Sequence, residues 1–160
     1  LVDFDSQEAD ISTGRLFDGD GPWVTFSNPS AAALNSEGCG WRSYGPLDPL
    51  APALNLAGNG TPSATGTVSV TLSGVTPGGS VGLYACFAPA YLDGLLAQGT
   101  VLVDPSTLYK SVPLTAGAGG AVTLTLPVNN PSLAGRAFYL QALEASTGKL
   151  SVGLELVFCP

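Results

Sequence analysis

A chain of 160 residues with 11% charged side chains, 21 Gly, 13 Pro and no His carries a net charge of −7. The length fits one domain with a real core. The acidic balance excludes nucleic acid and anionic membranes as partners, because both require a basic patch. No run approaches the about 18 apolar residues of a membrane-spanning helix, and the missing His removes Ser/His/Asp and Cys/His nucleophile systems in their usual form.

The acids are unevenly placed. Residues 1–20 hold six of the twelve, with Arg15 as the single base, a charge of −5; residues 21–160 hold six acids and four bases, or −2. The opening LVDFDSQEAD alternates Val2 and Phe4 with Asp3 and Asp5, the period of a strand with one apolar face. Residues 1–20 therefore read as an acidic arm and candidate donor strand, anchored by Val2, Phe4 and Ile11. Its acids keep it soluble and discourage random edge pairing. The same region supplies hard oxygen ligands, which makes Asp3, Asp5, Asp18 and Asp20 the candidate calcium set, although neither DFDSQEAD nor FDGDG matches an EF-hand loop. No other cofactor is expected.

Further along, WVTFS (23–27) predicts a strand. NPSAAALNSEG (28–38) predicts a short helix with Asn28 as N-cap and Pro29 in its first turn. Residues 45–66, rich in Pro and Gly, read as a connector over a sandwich body spanning 21–160. GTVSVTLSGV (66–75) alternates cleanly, TPGGS (76–80) is a turn, and VGLYACFAP (81–89) is a core strand with Leu83 and Phe87 on one face and Tyr84 and Cys86 on the other. PAYLDGLLAQ (89–98) predicts one helical turn, and VLVDP (101–105) a short strand stopped by Pro105. TLYKSVPL (107–114) reads as an edge strand, since Pro113 removes a ladder donor. AVTLTLPV (121–128), AGRAFYLQALEAS (134–146) and LSVGLELVF (150–158) complete an all-β, Ig-like or jelly-roll-type antiparallel β-sandwich.

Cys39, Cys86 and Cys159 lack metal-site spacing. In an oxidising compartment they predict one disulfide and one remaining thiol, either buried or available to a second chain, with Cys159 placed for either. The absence of a basic leader and of Met points to a mature exported form, extracellular or on the cell surface after signal removal.

TLSGVTPGG (71–79), VLVDP (101–105), TLTLPVNNPSLAGRAFYLQAL (123–143) and LSVGLEL (150–156) together resemble a β-domain that recurs in secreted and surface proteins of planctomycetes and similar bacteria. The resemblance covers about residues 66–158. It implies an extracellular β-sandwich without known catalytic residues. The family places a Cys just before its VLVDP counterpart, where this chain has Gly99–Thr100. Set against that pattern, Cys39 with Cys86 is the first pairing to expect.

The carboxylates Asp93, Asp104, Glu144 and Glu155 are scattered and read as solvated charges rather than a glycosidase pair; no enzymatic activity is expected. Trp41 and Tyr44, beside Cys39, are the candidate ligand platform for stacking on glycans, and Asn59-Gly60-Thr61 fits a glycosylation sequon. An extended arm must add to a sheet edge. If that edge belongs to a neighbour, the contact does not close and builds a filament. The leading expectation is thus a self-assembling extracellular structural subunit, pilus-like, joined by strand donation. The alternative is a non-catalytic carbohydrate- or surface-binding module.

Overall fold

The computed structural model describes residues 12–17, 20–26, 39–45, 54–96 and 99–159. Val2, Phe4 and Ile11, the acids at positions 3, 5 and 18, and the helix expected over 28–38 lie outside these residues. Two compact units divide the chain, Leu1–Gly38 and Cys39–Pro160.

In the first unit, β1 (Ser12–Phe17) pairs antiparallel with β2 (Asp20–Phe26), with Ser12 opposite Phe26 and Arg15 opposite Trp23. Residues 12–17, read from sequence as part of an extended arm, are thus one half of a hairpin, and residues 23–26 of the strand expected over 23–27 fall within the other half. The intervening Asp18-Gly19 is a dipeptide that favours two-residue hairpin turns. Pro22 is tolerated because each strand of a two-stranded ribbon keeps one unpaired edge.

The second unit is an all-β sandwich. Its strands are β3 (Gly40–Tyr44), β4 (Asn55–Asn59), β5 (Thr67–Ser73), β6 (Ser80–Cys86), β7 (Pro89–Leu96), β8 (Gly99–Val103), β9 (Leu108–Thr115), β10 (Ala121–Pro127), β11 (Ala137–Glu144) and β12 (Gly153–Val157). A five-stranded sheet, β3-β12-β11-β6-β9, faces a three-stranded sheet, β10-β5-β4, and every strand pair is antiparallel. The core lies where their inner faces meet: Leu56, Val68, Val70 and Leu72 from the smaller sheet pack on Val81, Leu83, Leu140 and Leu154 from the larger. Strict alternation dictates this. In β5, Val68, Val70 and Leu72 turn inward while Ser69 and Thr71 turn outward and hydrogen-bond across to Thr125 and Thr123. Each such buried side chain contributes about 1.5–3 kcal/mol.

A third layer covers the outer face of the larger sheet. β7 and β8 form a separate two-stranded ribbon, and β8 lies over β11 and β6. The buried Gln141 amide ties it down, accepting from the Leu102 N–H at 2.9 Å and donating to the Thr100 carbonyl at 3.0 Å. This explains why β11 is covered on both faces.

The structure corrects three sequence-based expectations. In place of the helical turn expected over 89–98, Pro89–Leu96 is β7, whose pairing with β8 is interrupted by register shifts that blur the strand period. The connector at 45–66 contains β4, and Leu54 beside it is 0% exposed. Cys39 bonds to Cys159, with a Cα separation of 4.9 Å, rather than to Cys86, which is a buried thiol under β8. The sheet order gives the reason for the last. Three strand spacings of about 4.8 Å each separate β3 from β6, beyond the about 7 Å that a disulfide spans. Cys159 is instead drawn alongside by its backbone bonds to Pro62 and Ala64. A disulfide places the chain in an oxidising, non-cytoplasmic setting. No helix among the described residues is long and apolar enough to cross a membrane.

Candidate functional site

Trp41 and Tyr44 do not make an exposed platform. Tyr44 is 6% exposed, its hydroxyl donates to the Leu102 carbonyl at 2.8 Å, and its ring covers Gly153, where a Cβ would collide with it. Burial first, then the neighbouring Tyr139 and Glu155, push its hydroxyl well above the ordinary tyrosine value. Trp41 lies on Gly58 in the same manner, and its indole N–H donates to the Gly60 carbonyl at 2.9 Å. Both rings fill space that a glycine on the neighbouring strand leaves open. Asn59 of the sequon stands at the end of β4, its amide bonded to the Thr71 hydroxyl.

Two of the four scattered carboxylates are buried, against the solvated reading. Glu144, 0% exposed, accepts from the Thr76 N–H at 2.8 Å and from the Thr147 hydroxyl at 2.6 Å, so one carboxylate joins two turns. Those hydrogen bonds, from Thr147 and Thr76, hold it below the usual carboxylate range despite its burial. Glu155 forms an ion pair with Arg42 directly across the β12–β3 register. Beside it, Tyr139 is pushed up to about 12 by burial and by the Glu155 charge. Asp104 caps the short 3₁₀ turn Pro105–Thr107 by accepting from the Ser106 N–H. Asp93 lies in β7. Each of the three carboxylates with a described partner is occupied in holding backbone or a neighbouring strand. Asp20, of the calcium set, falls in β2. Among the described residues no group of three or more His, Cys, Asp or Glu is placed to hold a metal ion.

A concave feature among the described residues lies on the opposite flank. β9 and β10 are the outermost strands of their respective sheets, and no strand among the described residues pairs with the outer edge of either. The sheets part here around a cleft of about 380 Å³. Its walls include Val70 and Leu124 from the smaller sheet and Leu83, Val112 and Phe138 from the larger, with Tyr109 and Lys110 among the lining residues. The inward row of β10, Val122, Leu124 and Leu126, lies opposite the fully buried Leu72, Val70 and Val68 yet is itself incompletely covered; Leu126 is 40% exposed. At one side Phe87, 52% exposed, and Tyr109, 61% exposed, pack on one another with ring centres 5.2 Å apart, and both meet Phe138. Phe87 was expected inside a core strand; β6 ends at Cys86, so Phe87 falls just beyond it. Apart from Tyr109, the one ionisable side chain lining the cleft among the described residues is Lys110. The lining is mostly apolar, with Lys110, Asn129 and Asn130 as its strongly polar members. Sequence reading missed this site. Pro113 did mark β9 as an edge strand, but nothing in the alternation of 121–128 distinguishes an edge from a centre.

No family model matches the chain, and no curated protein matches it. Among solved structures the chain is similar to macromomycin, with 18% identity, 67% of this chain and 100% of that chain covered, and a TM-score of 0.41. At that score the likeness says nothing about function.

Proposed function

We propose that the chain is an extracellular structural subunit that assembles into a filament by strand donation, the segment 1–11 of one copy entering the β9–β10 cleft of the next. The observation that carries the reading is the cleft itself. An apolar groove bounded by two strand edges that pair with no strand among the described residues offers main-chain hydrogen bonds for affinity and pockets for alternate side chains. The alternating Val2 and Phe4 supply those side chains. The contact is head-to-tail and does not close on itself, so it propagates. The disulfide fits an extracellular setting, and no cofactor takes part. The glycan-binding alternative loses the platform it was built on, since Trp41 and Tyr44 are packed against the body.

The test is the size distribution of the purified chain by light scattering and electron microscopy, with and without residues 1–11. Polymers from the full chain and folded monomers from the truncation are expected. Fibres from the truncated chain, or a full chain that stays monomeric, would overturn the reading.

A further inference from the structure

We infer that the cleft is a binding site for a single-chain monocarboxylate, a fatty acid whose tail lies between the sheets and whose carboxylate meets Lys110. The binding does not rest on strand donation; its effect on assembly, through occupation of the same cleft, does.

The floor of the cleft selects the tail. Val68 and Val70 of the smaller sheet and Leu83, Leu140 and Leu156 of the larger are buried members of the core, yet all five line the cleft. Packed interiors leave few voids larger than a water molecule. A volume of about 380 Å³ reaching those side chains is therefore a gap in the core that opens at one flank. An apolar gap takes an apolar molecule in preference to water, which needs polar partners. The volume stands near the lower end of the about 300–1,000 Å³ of small-molecule sites, and facing sheets lie about 10 Å apart. One acyl chain suits such a slot better than a two-chain lipid.

A bulge shapes the wall that meets the head. Along β9, Val112 lies opposite Leu83 and Lys110 opposite Ala85, and all four line the cleft. Simple alternation would turn Tyr109 to the other face. The register shifts at this point, with Leu108 opposite Cys86, so Tyr109 is the extra residue of a bulge. It too lines the cleft, its ring centre 5.4 Å from that of Phe138. Two consecutive residues, an aromatic and a cation, thus share one wall.

Charge selects the acid. The chain has five bases against twelve acids; among the described residues no acid lines the cleft, and Lys110 forms no ion pair. One cation matches one negative charge. A dianionic head would bring a second charge against a wall whose other strongly polar groups, the amides of Asn129 and Asn130, are neutral, and an unpaired charge beside apolar surface is costly.

Calorimetric titration of the full chain at pH 8 with octanoate, decanoate and 1-decanol tests this. One molecule binds per chain, and affinity rises from octanoate to decanoate by about fourfold per methylene. Decanoate binds about two- to fivefold more tightly than 1-decanol, a gap that narrows as salt is raised. Lys110→Gln closes that gap and leaves 1-decanol binding unchanged. Ala85→Leu, which fills the cleft, and Leu126→Glu, which sets a negative charge at its exposed side, each weaken decanoate by about tenfold. Thermal melts identify any loss of folding, and Leu126→Glu stands in if Ala85→Leu fails to fold. Acid and alcohol bound alike by the wild type, no binding, or decanoate affinity unchanged in the cleft variants would overturn the inference. Decanoate also slows assembly of the wild type. A chain that stays monomeric without decanoate overturns strand donation instead, and the titration still decides the binding site.

Discussion

The two flanks of the sandwich are built from similar strands and end differently. On the β3–β4 side, Trp41 of the larger sheet lies on Gly58 of the smaller, and Cys39–Cys159 ties the edge strand to the end of the chain. On the β9–β10 side Tyr109, Phe138 and Phe158 are among the lining residues, yet Leu124 and Leu126 line an open cleft. The comparison teaches that closure is not a property of strand sequence alone. At the β3–β4 flank a ring of one sheet lies on a glycine of the other, Trp41 on Gly58, whereas Tyr44 on Gly153 is a pair within the larger sheet on the face under β8.

The largest effect should come from cutting the tie on the closed flank. Replacing both Cys39 and Cys159 by Ser releases a loop of 120 residues. In the chain-entropy model that costs about 4–5 kcal/mol, read as a lower urea midpoint under oxidising conditions. An unchanged midpoint would show that the flank is held by packing alone.

A matched pair of truncations sharpens the contrast. Leu54→Ala, in the fully buried layer behind the closed flank, is expected to cost about 2–5 kcal/mol. Leu126→Ala, on the open flank, should cost less than about 1 kcal/mol. Equal losses in chemical denaturation would mean that the cleft is filled in solution.

The smallest effect belongs to acid. Because Glu144 is held below the usual carboxylate range, its ionised form is the one the folded state favours. Its contribution is fully present above the unfolded value of about 4.3 and is lost as pH falls through the lower folded value. Melting temperatures measured from pH 6 down to pH 2 should fall less steeply for Glu144→Gln than for the wild type. Parallel profiles would remove Glu144 from that role.

Much of the body was legible beforehand because alternation is local. The strands at 66–75 and 121–128 could be read from their own residues, and Pro113 marked β9 as an edge. What was not legible depends on distant partners. Glu144 reads as a surface acid until Thr76, 68 positions away, is folded against it, and Glu155 until Arg42, 113 positions away, is brought opposite. β4 was hidden by its setting, since NLAGN sits among Pro and Gly and shows no period of its own. The cleft was invisible for a different reason: it lies between two strands whose own patterns are ordinary and whose outer edges pair with no strand among the described residues.

The position of the Cys39–Cys159 bond has a mechanical consequence. Cys39 is the first residue of the sandwich unit, directly after the unit that carries the acidic segment. Were the chain to assemble as proposed, tension on that segment would arrive at Cys39. Without the bond, the pull would peel β3 from the sheet edge one hydrogen bond at a time, beginning with Gly40 opposite Val157. With it, force crosses a covalent link to the far end of the chain, where Cys159 is already bonded to Pro62 and Ala64. The strand nearest the pull is bypassed, and many backbone bonds must then give way together rather than in turn.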